Sequence, residues 1–219
     1  MTDPLIRELV QDLLPVRPIP RLRSVALGLL AVFAGVLAAD WALGGAEPRP
    51  FQDAAWSSPW YLAAVVGVTL LAFGALASAL ASAVPGRAAS TRIGLRTAVA
   101  GTVLALSGWL LGLASGAPDH SGETLRGITS CSTRALVLGL VPALGCAVFA
   151  VRAALRRGVS TAALSLAAGV GLGTAAVQIS CPSNSPVHQL VGHLLAPAAV
   201  IALVTVPLAQ LMWRSARRD

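Results

Sequence analysis

Six long apolar stretches divide this chain into seven connecting or terminal segments, and its sixteen basic residues, all arginine, fall thirteen to three between alternate segments. Apolar runs near 20 residues match the ~30 Å hydrocarbon core of a bilayer at about 1.5 Å rise per helical residue. The spans read as Ser24 to Leu43, Trp60 to Ala83, Ile93 to Ala114, Arg134 to Val151, Ser160 to Ser180 and Val187 to Trp213. On one side lie Arg7, Arg17, Arg21 and Arg23, then Arg87, Arg92 and Arg96, then Arg152, Arg156 and Arg157, then Arg214, Arg217 and Arg218. The other side carries Arg49, Arg126 and Arg134. Loops rich in Lys and Arg stay cytoplasmic, so both termini are predicted to face the cytoplasm.

The fold class is therefore all-α, a polytopic bundle of six transmembrane helices. With 56% hydrophobic and 11% charged residues, the composition excludes a soluble globular domain. The formal charge of +7 follows from the topology. Most arginines flank spans where anionic headgroups sit, so direct nucleic-acid binding is not expected. The first apolar stretch is too long and too deep in the sequence for a cleavable signal peptide. The organisation is a cytoplasmic head and Pro-rich linker over residues 1–23, a six-helix membrane domain over 24–213 and a basic tail over 214–219.

The head has the look of a binding element. Asp3 can cap a helix with Pro4 at its first position, and Leu5, Ile6, Leu9, Val10, Leu13 and Leu14 form one stripe at helical spacing. Pro15 stops the helix, and Val16-Arg17-Pro18-Ile19-Pro20 forms a stiff connection into the first span. About ten residues are marginal as a helix in water, so a partner or surface must order them. An interfacial helix on the inner leaflet is one reading. Against it, Asp3, Glu8 and Asp12 outnumber Arg7, whereas membrane-surface helices usually carry a basic face. An apolar stripe edged with carboxylates suits a basic protein groove better.

Trp41, Trp56, Trp60 and Tyr61, at the margins of the first connecting loop, read as an interfacial aromatic belt. Gly67 and Gly74, and Gly169 and Gly173, read as close helix packing. Pro142, Pro197 and Pro207 sit where a bundle can accommodate a kink.

Of the three cysteines, Cys146 lies mid-span and reads as core. Cys131 lies just before the fourth span and Cys181 just after the fifth. A short cytoplasmic turn between those spans, anchored by Arg152, Arg156 and Arg157, brings their far ends together and allows a disulfide on an oxidising side. Three readings of the pair stand open: a staple, a redox sensor, or a thiophilic metal site completed by His188, His193 or His120. No compact metal-binding spacing is present.

Enzyme signatures are missing, with no paired carboxylates inside a span, no phosphate loop and no nucleophile beside an evident base. The chain is therefore read as a non-enzyme needing no cofactor. A small membrane thiol-redox enzyme is the alternative, disfavoured because Cys131 and Cys181 do not form a Cys-x-x-Cys motif. A transporter-like subunit is disfavoured because ionisable residues are scarce in the spans, Asp40 lying near the end of the first.

The head LIRELVQDLLPVRPIPRLR, six spans, an RRG turn between the fourth and fifth, and SCPSNSP after the fifth together resemble the NrsF-like negative regulators of extracytoplasmic-function sigma factors. Ser180 stands where that family commonly has His. The resemblance implies an anti-sigma factor of the bacterial inner membrane. Its head would hold a sigma factor inactive through Leu5, Ile6, Leu9, Val10 and Leu13, and release it on a redox or heavy-metal signal sensed at Cys131 and Cys181. The partners implied are an extracytoplasmic-function sigma factor and the lipid bilayer.

Overall fold

A computed structural model describes residues 20–43, 54–116, 125–154, 158–181, 183 and 185–216. Among them there is no strand. The helices are α1 (Leu22–Ala42), α2 (Pro59–Ser82), α3 (Ala88–Ala114), α4 (Leu125–Ala154), α5 (Gly158–Ser180) and α6 (Pro186–Ala216). A 3-10 turn at Ala54–Ser57 precedes α2, and a π-helical turn at Val191–Leu195 interrupts α6. All six helices are long and apolar enough to cross a membrane. Where hydrocarbon replaces water, helices satisfy every backbone polar group internally.

Large apolar side chains face outward as well as inward, as suits surroundings of hydrocarbon. Leu27, Leu111 and Leu203 point outward, while Ala64, Ala72, Ser165 and Gln178 fill the interior. Small residues set how closely the helices approach. A Cβ at Gly67 would overlap the backbone of Ala105 and Gly101, and one at Gly74 that of Ala98 and Gly94, so α2 and α3 lie backbone to backbone and antiparallel. Gly169 meets Gly139 and Ala143, and Gly173 meets Ala135, which packs α5 against α4 in the same way. Both glycine pairs read as packing residues in the sequence have that role. Helix α5 is central, contacting α2, α4 and α6. By contrast α1 leans on α4 and buries Phe33 alone among its residues.

Antiparallel pairing collects the helix ends into two sets. Tyr61 faces Gln178 while Ser82 faces Thr161; Asp40 faces Arg134 while Leu29 faces Gly145. Among the described residues Arg21, Arg23, Arg87, Arg92, Arg96, Arg152 and Arg214 therefore lie toward one end, and Arg126 and Arg134 toward the other.

Two sequence expectations are corrected. Helix α4 starts at Leu125 rather than Arg134, so Cys131 lies in its second turn and not before it. Arg134 bounds the apolar run, but arginine is a good helix former, so the helix extends beyond it, and its charge is paired with Asp40. Trp60 and Tyr61 are buried, not part of an interfacial belt. Trp60 lies over Gly112, whose missing side chain makes room for the indole, and the Tyr61 hydroxyl donates to the Gln178 carbonyl at 2.8 Å. Trp41 and Trp56 are half-buried.

Candidate functional site

The end of the bundle opposite the arginine-rich one holds a dense set of polar side chains. Its centre is the meeting of α4, the end of α5 and the start of α6. Cys131 comes from the second turn of α4, and Cys181 is the first residue after α5. Their sulfurs are 3.7 Å apart, in contact and not bonded. The antiparallel α4–α5 hairpin therefore joins the two residues that lie fifty positions apart in sequence.

Two histidines complete the group. His188 Nε2 lies 3.4 Å from the Cys181 sulfur, and the His188 and His193 ring centroids are 5.6 Å apart. One ligand-competent atom from each of Cys131, Cys181, His188 and His193 lies within 4.8 Å of every other. Cys181, His188 and His193 are buried, and Cys131 is half-buried.

Local sequence explains the placement. The Ser185 hydroxyl accepts the His188 amide at 3.3 Å, and Pro186 occupies the first helical position, so α6 starts where His188 can turn toward Cys181. In an α-helix, residues five apart sit about 140° apart around the axis. The π turn, with its i→i+5 pattern, brings His193 round toward the face of His188. The Ser132 hydroxyl donates to the Gly192 carbonyl at 2.8 Å and fixes that turn against α4.

A second polar layer braces the site. Gln189 Oε1 accepts from the Trp109 indole and from Gln178 Nε2, each at 3.3 Å, while Gln189 Nε2 donates to the Ser183 carbonyl at 3.2 Å. Both glutamines are fully buried. On the α1 side, Arg134 pairs with Asp40, and its Nη1 donates to the Ser180 hydroxyl at 3.4 Å. Arg134 stands one turn along α4 from Cys131, and Ser180 is next to Cys181.

The structure thus brings Cys131 and Cys181 together and adds His188 and His193 to them. Sequence spacing gave only a weak sign of that set, because the π turn that aligns the histidines has no simple sequence signature. Cys146 is buried against Ala75, Leu76, Leu80, Ala98 and Ala168, a core residue as expected. The Asp40–Arg134 pair has a weak sequence signal, an acid and a base within the first and fourth spans at the same predicted membrane end. Leu5, Ile6, Leu9, Val10 and Leu13 of the head, and His120, lie outside the described residues.

Comparison with known families gives a match to NrsF, described as negative regulator of sigma F, over residues 9–214. No curated protein and no solved structure matches the chain.

Proposed function

Because the chain belongs to the NrsF family of negative regulators of sigma F, we propose that it is an inner-membrane anti-sigma factor for an extracytoplasmic-function sigma factor. The family match over residues 9–214 is the observation that carries this reading. In it, residues 1–23 form the cytoplasmic sigma-binding head, 24–213 the membrane domain and 214–219 a basic tail. The arginine asymmetry supports cytoplasmic termini, since seven described arginines lie toward the head end and two toward the thiol end.

Leu5, Ile6, Leu9, Val10 and Leu13 bury against the sigma factor, and Asp3, Glu8 and Asp12 face its basic surface. Sigma factors act through basic surfaces and apolar grooves, so such a helix competes for surface needed to bind core polymerase. Cys131 and Cys181 are the sensor on the extracytoplasmic side. Sulfurs 3.7 Å apart need little movement to react with one two-electron oxidant such as a peroxide. A disulfide then forms, and the two thiol hydrogens leave with the reduced oxidant as water.

The test is alkylation in whole cells with a membrane-impermeant maleimide, alongside a sigma-dependent reporter. Labelling of Cys131 and Cys181 that falls on oxidant exposure and returns on reduction, in step with reporter induction, is expected. Labelling insensitive to both treatments sinks the thiol switch. A reporter that stays silent when the whole gene is deleted sinks the anti-sigma reading.

A further inference from the structure

The thiols do not stand alone: His188 and His193 are buried beside them, with His188 Nε2 3.4 Å from the Cys181 sulfur. We infer that Cys131, Cys181, His188 and His193 form a tetrahedral site for one thiophilic divalent cation of the zinc class. The proposal deepens the sensor reading by naming its ligand, and rests on that reading only for its regulatory meaning.

The spacing fits the cation. Bonds of ~2.3 Å to sulfur and ~2.0–2.1 Å to nitrogen at tetrahedral angles put two sulfurs about 3.8 Å apart and a sulfur and nitrogen about 3.6 Å apart. The observed values are 3.7 Å for Cys131 to Cys181 and 3.4 Å for Cys181 to His188. The widest separation in the set stays within 4.8 Å. Closing it onto a common centre takes a side-chain adjustment of about 1 Å.

Charge balance fits as well. Two thiolates and two neutral imidazoles around a divalent cation give a neutral centre, the form that burial near hydrocarbon penalises least. The mixed sulfur and nitrogen set selects zinc and softer cations over calcium or magnesium, which require oxygen ligands. Bound cation would join α4, the end of α5 and the start of α6 at one point. Its arrival or loss therefore changes how three helices are held together.

The experiment is a cobalt(II) titration of the reduced full-length protein in lipid nanodiscs, with no sigma factor present. We expect one equivalent to bind, giving a sulfur-to-cobalt charge-transfer band and tetrahedral visible bands that zinc abolishes. Substituting Cys131→Ser with Cys181→Ser should remove the charge-transfer band, and His188→Gln with His193→Gln should weaken binding at least tenfold. Cys146→Ser should leave it unchanged. Zinc protection of Cys131 and Cys181 from alkylation in the unaltered protein supplies a readout independent of variant folding. Absence of both the cobalt band and zinc protection would overturn the site; binding that survives the double histidine substitution would overturn its His ligands. Failure here leaves the redox reading intact, and failed sigma binding leaves the cobalt result intact.

Discussion

Arg134 on α4 and Asp40 on α1 form an ion pair whose two side chains are 21% and 25% exposed, and Arg134 stands one turn from Cys131. The bond from Arg134 Nε to Asp40 is 3.0 Å, and the same guanidinium reaches Ser180 beside Cys181. Helix α1 otherwise buries only Phe33. The pair thus connects the thiol cluster to the most loosely embedded helix, and the other end of that helix leads into residues 1–23. On the proposed function, this ion pair is the link through which a change at Cys131 and Cys181 would reach residues 1–23.

Asp40→Asn and Arg134→Gln should each destabilise the bundle by about 1–3 kcal/mol, less than the 3–5 kcal/mol for breaking a fully buried pair. Each should also raise sigma-dependent transcription without added stress. Thermal unfolding in nanodiscs and a promoter reporter measure the two effects. The exchanged pair Asp40→Arg with Arg134→Asp should recover much of both; no change in either single variant would remove the latch from the account.

Close packing predicts opposite outcomes at two glycines. Gly67→Ala places a methyl group on the backbone of Ala105 and should cost about 1–3 kcal/mol of overpacking. Gly28→Ala, with nothing within 4 Å of the new Cβ, should be neutral or stabilising by roughly 0.5–1 kcal/mol. Comparing their unfolding midpoints in nanodiscs checks this, and equal midpoints would contradict the observed α2–α3 approach.

Gln189→Met keeps volume but deprives Trp109 and Gln178 of a shared acceptor. It should cost about 1–3 kcal/mol, the desolvation of buried donors left without a bond. The expected signs are a lower unfolding midpoint and altered tryptophan emission, with unchanged values counting against a bracing role.

The six spans were legible because hydrocarbon thickness fixes helix length, and Cys146 and the packing glycines were legible because a bundle interior favours small groups. Boundaries were harder where charge met helix. In the sequence Arg134 bounds an apolar run, and its partner Asp40 lies ninety-four positions away, out of reach of local periodicity. Trp60 and Tyr61 looked interfacial because amphipathic aromatics usually are; Gly112 and the Gln178 carbonyl are tertiary partners that single-sequence periodicity does not reveal. The Cys131–Cys181 approach followed from hairpin topology. The arrival of His193 beside His188 depended on a π turn, a departure from the regular helix that the sequence reading assumed.

Co-purification of the sigma factor with the full-length membrane protein tests the proposal that residues 1–23 hold it. If Leu9 and Leu13 bury against the sigma factor as proposed, at about 1.5–3 kcal/mol each, Leu9→Asp with Leu13→Asp should weaken binding about a hundredfold or more. This variant, still inserted and still carrying an intact thiol cluster, should lose the sigma factor and release its promoters. Undiminished co-purification of the sigma factor would contradict it.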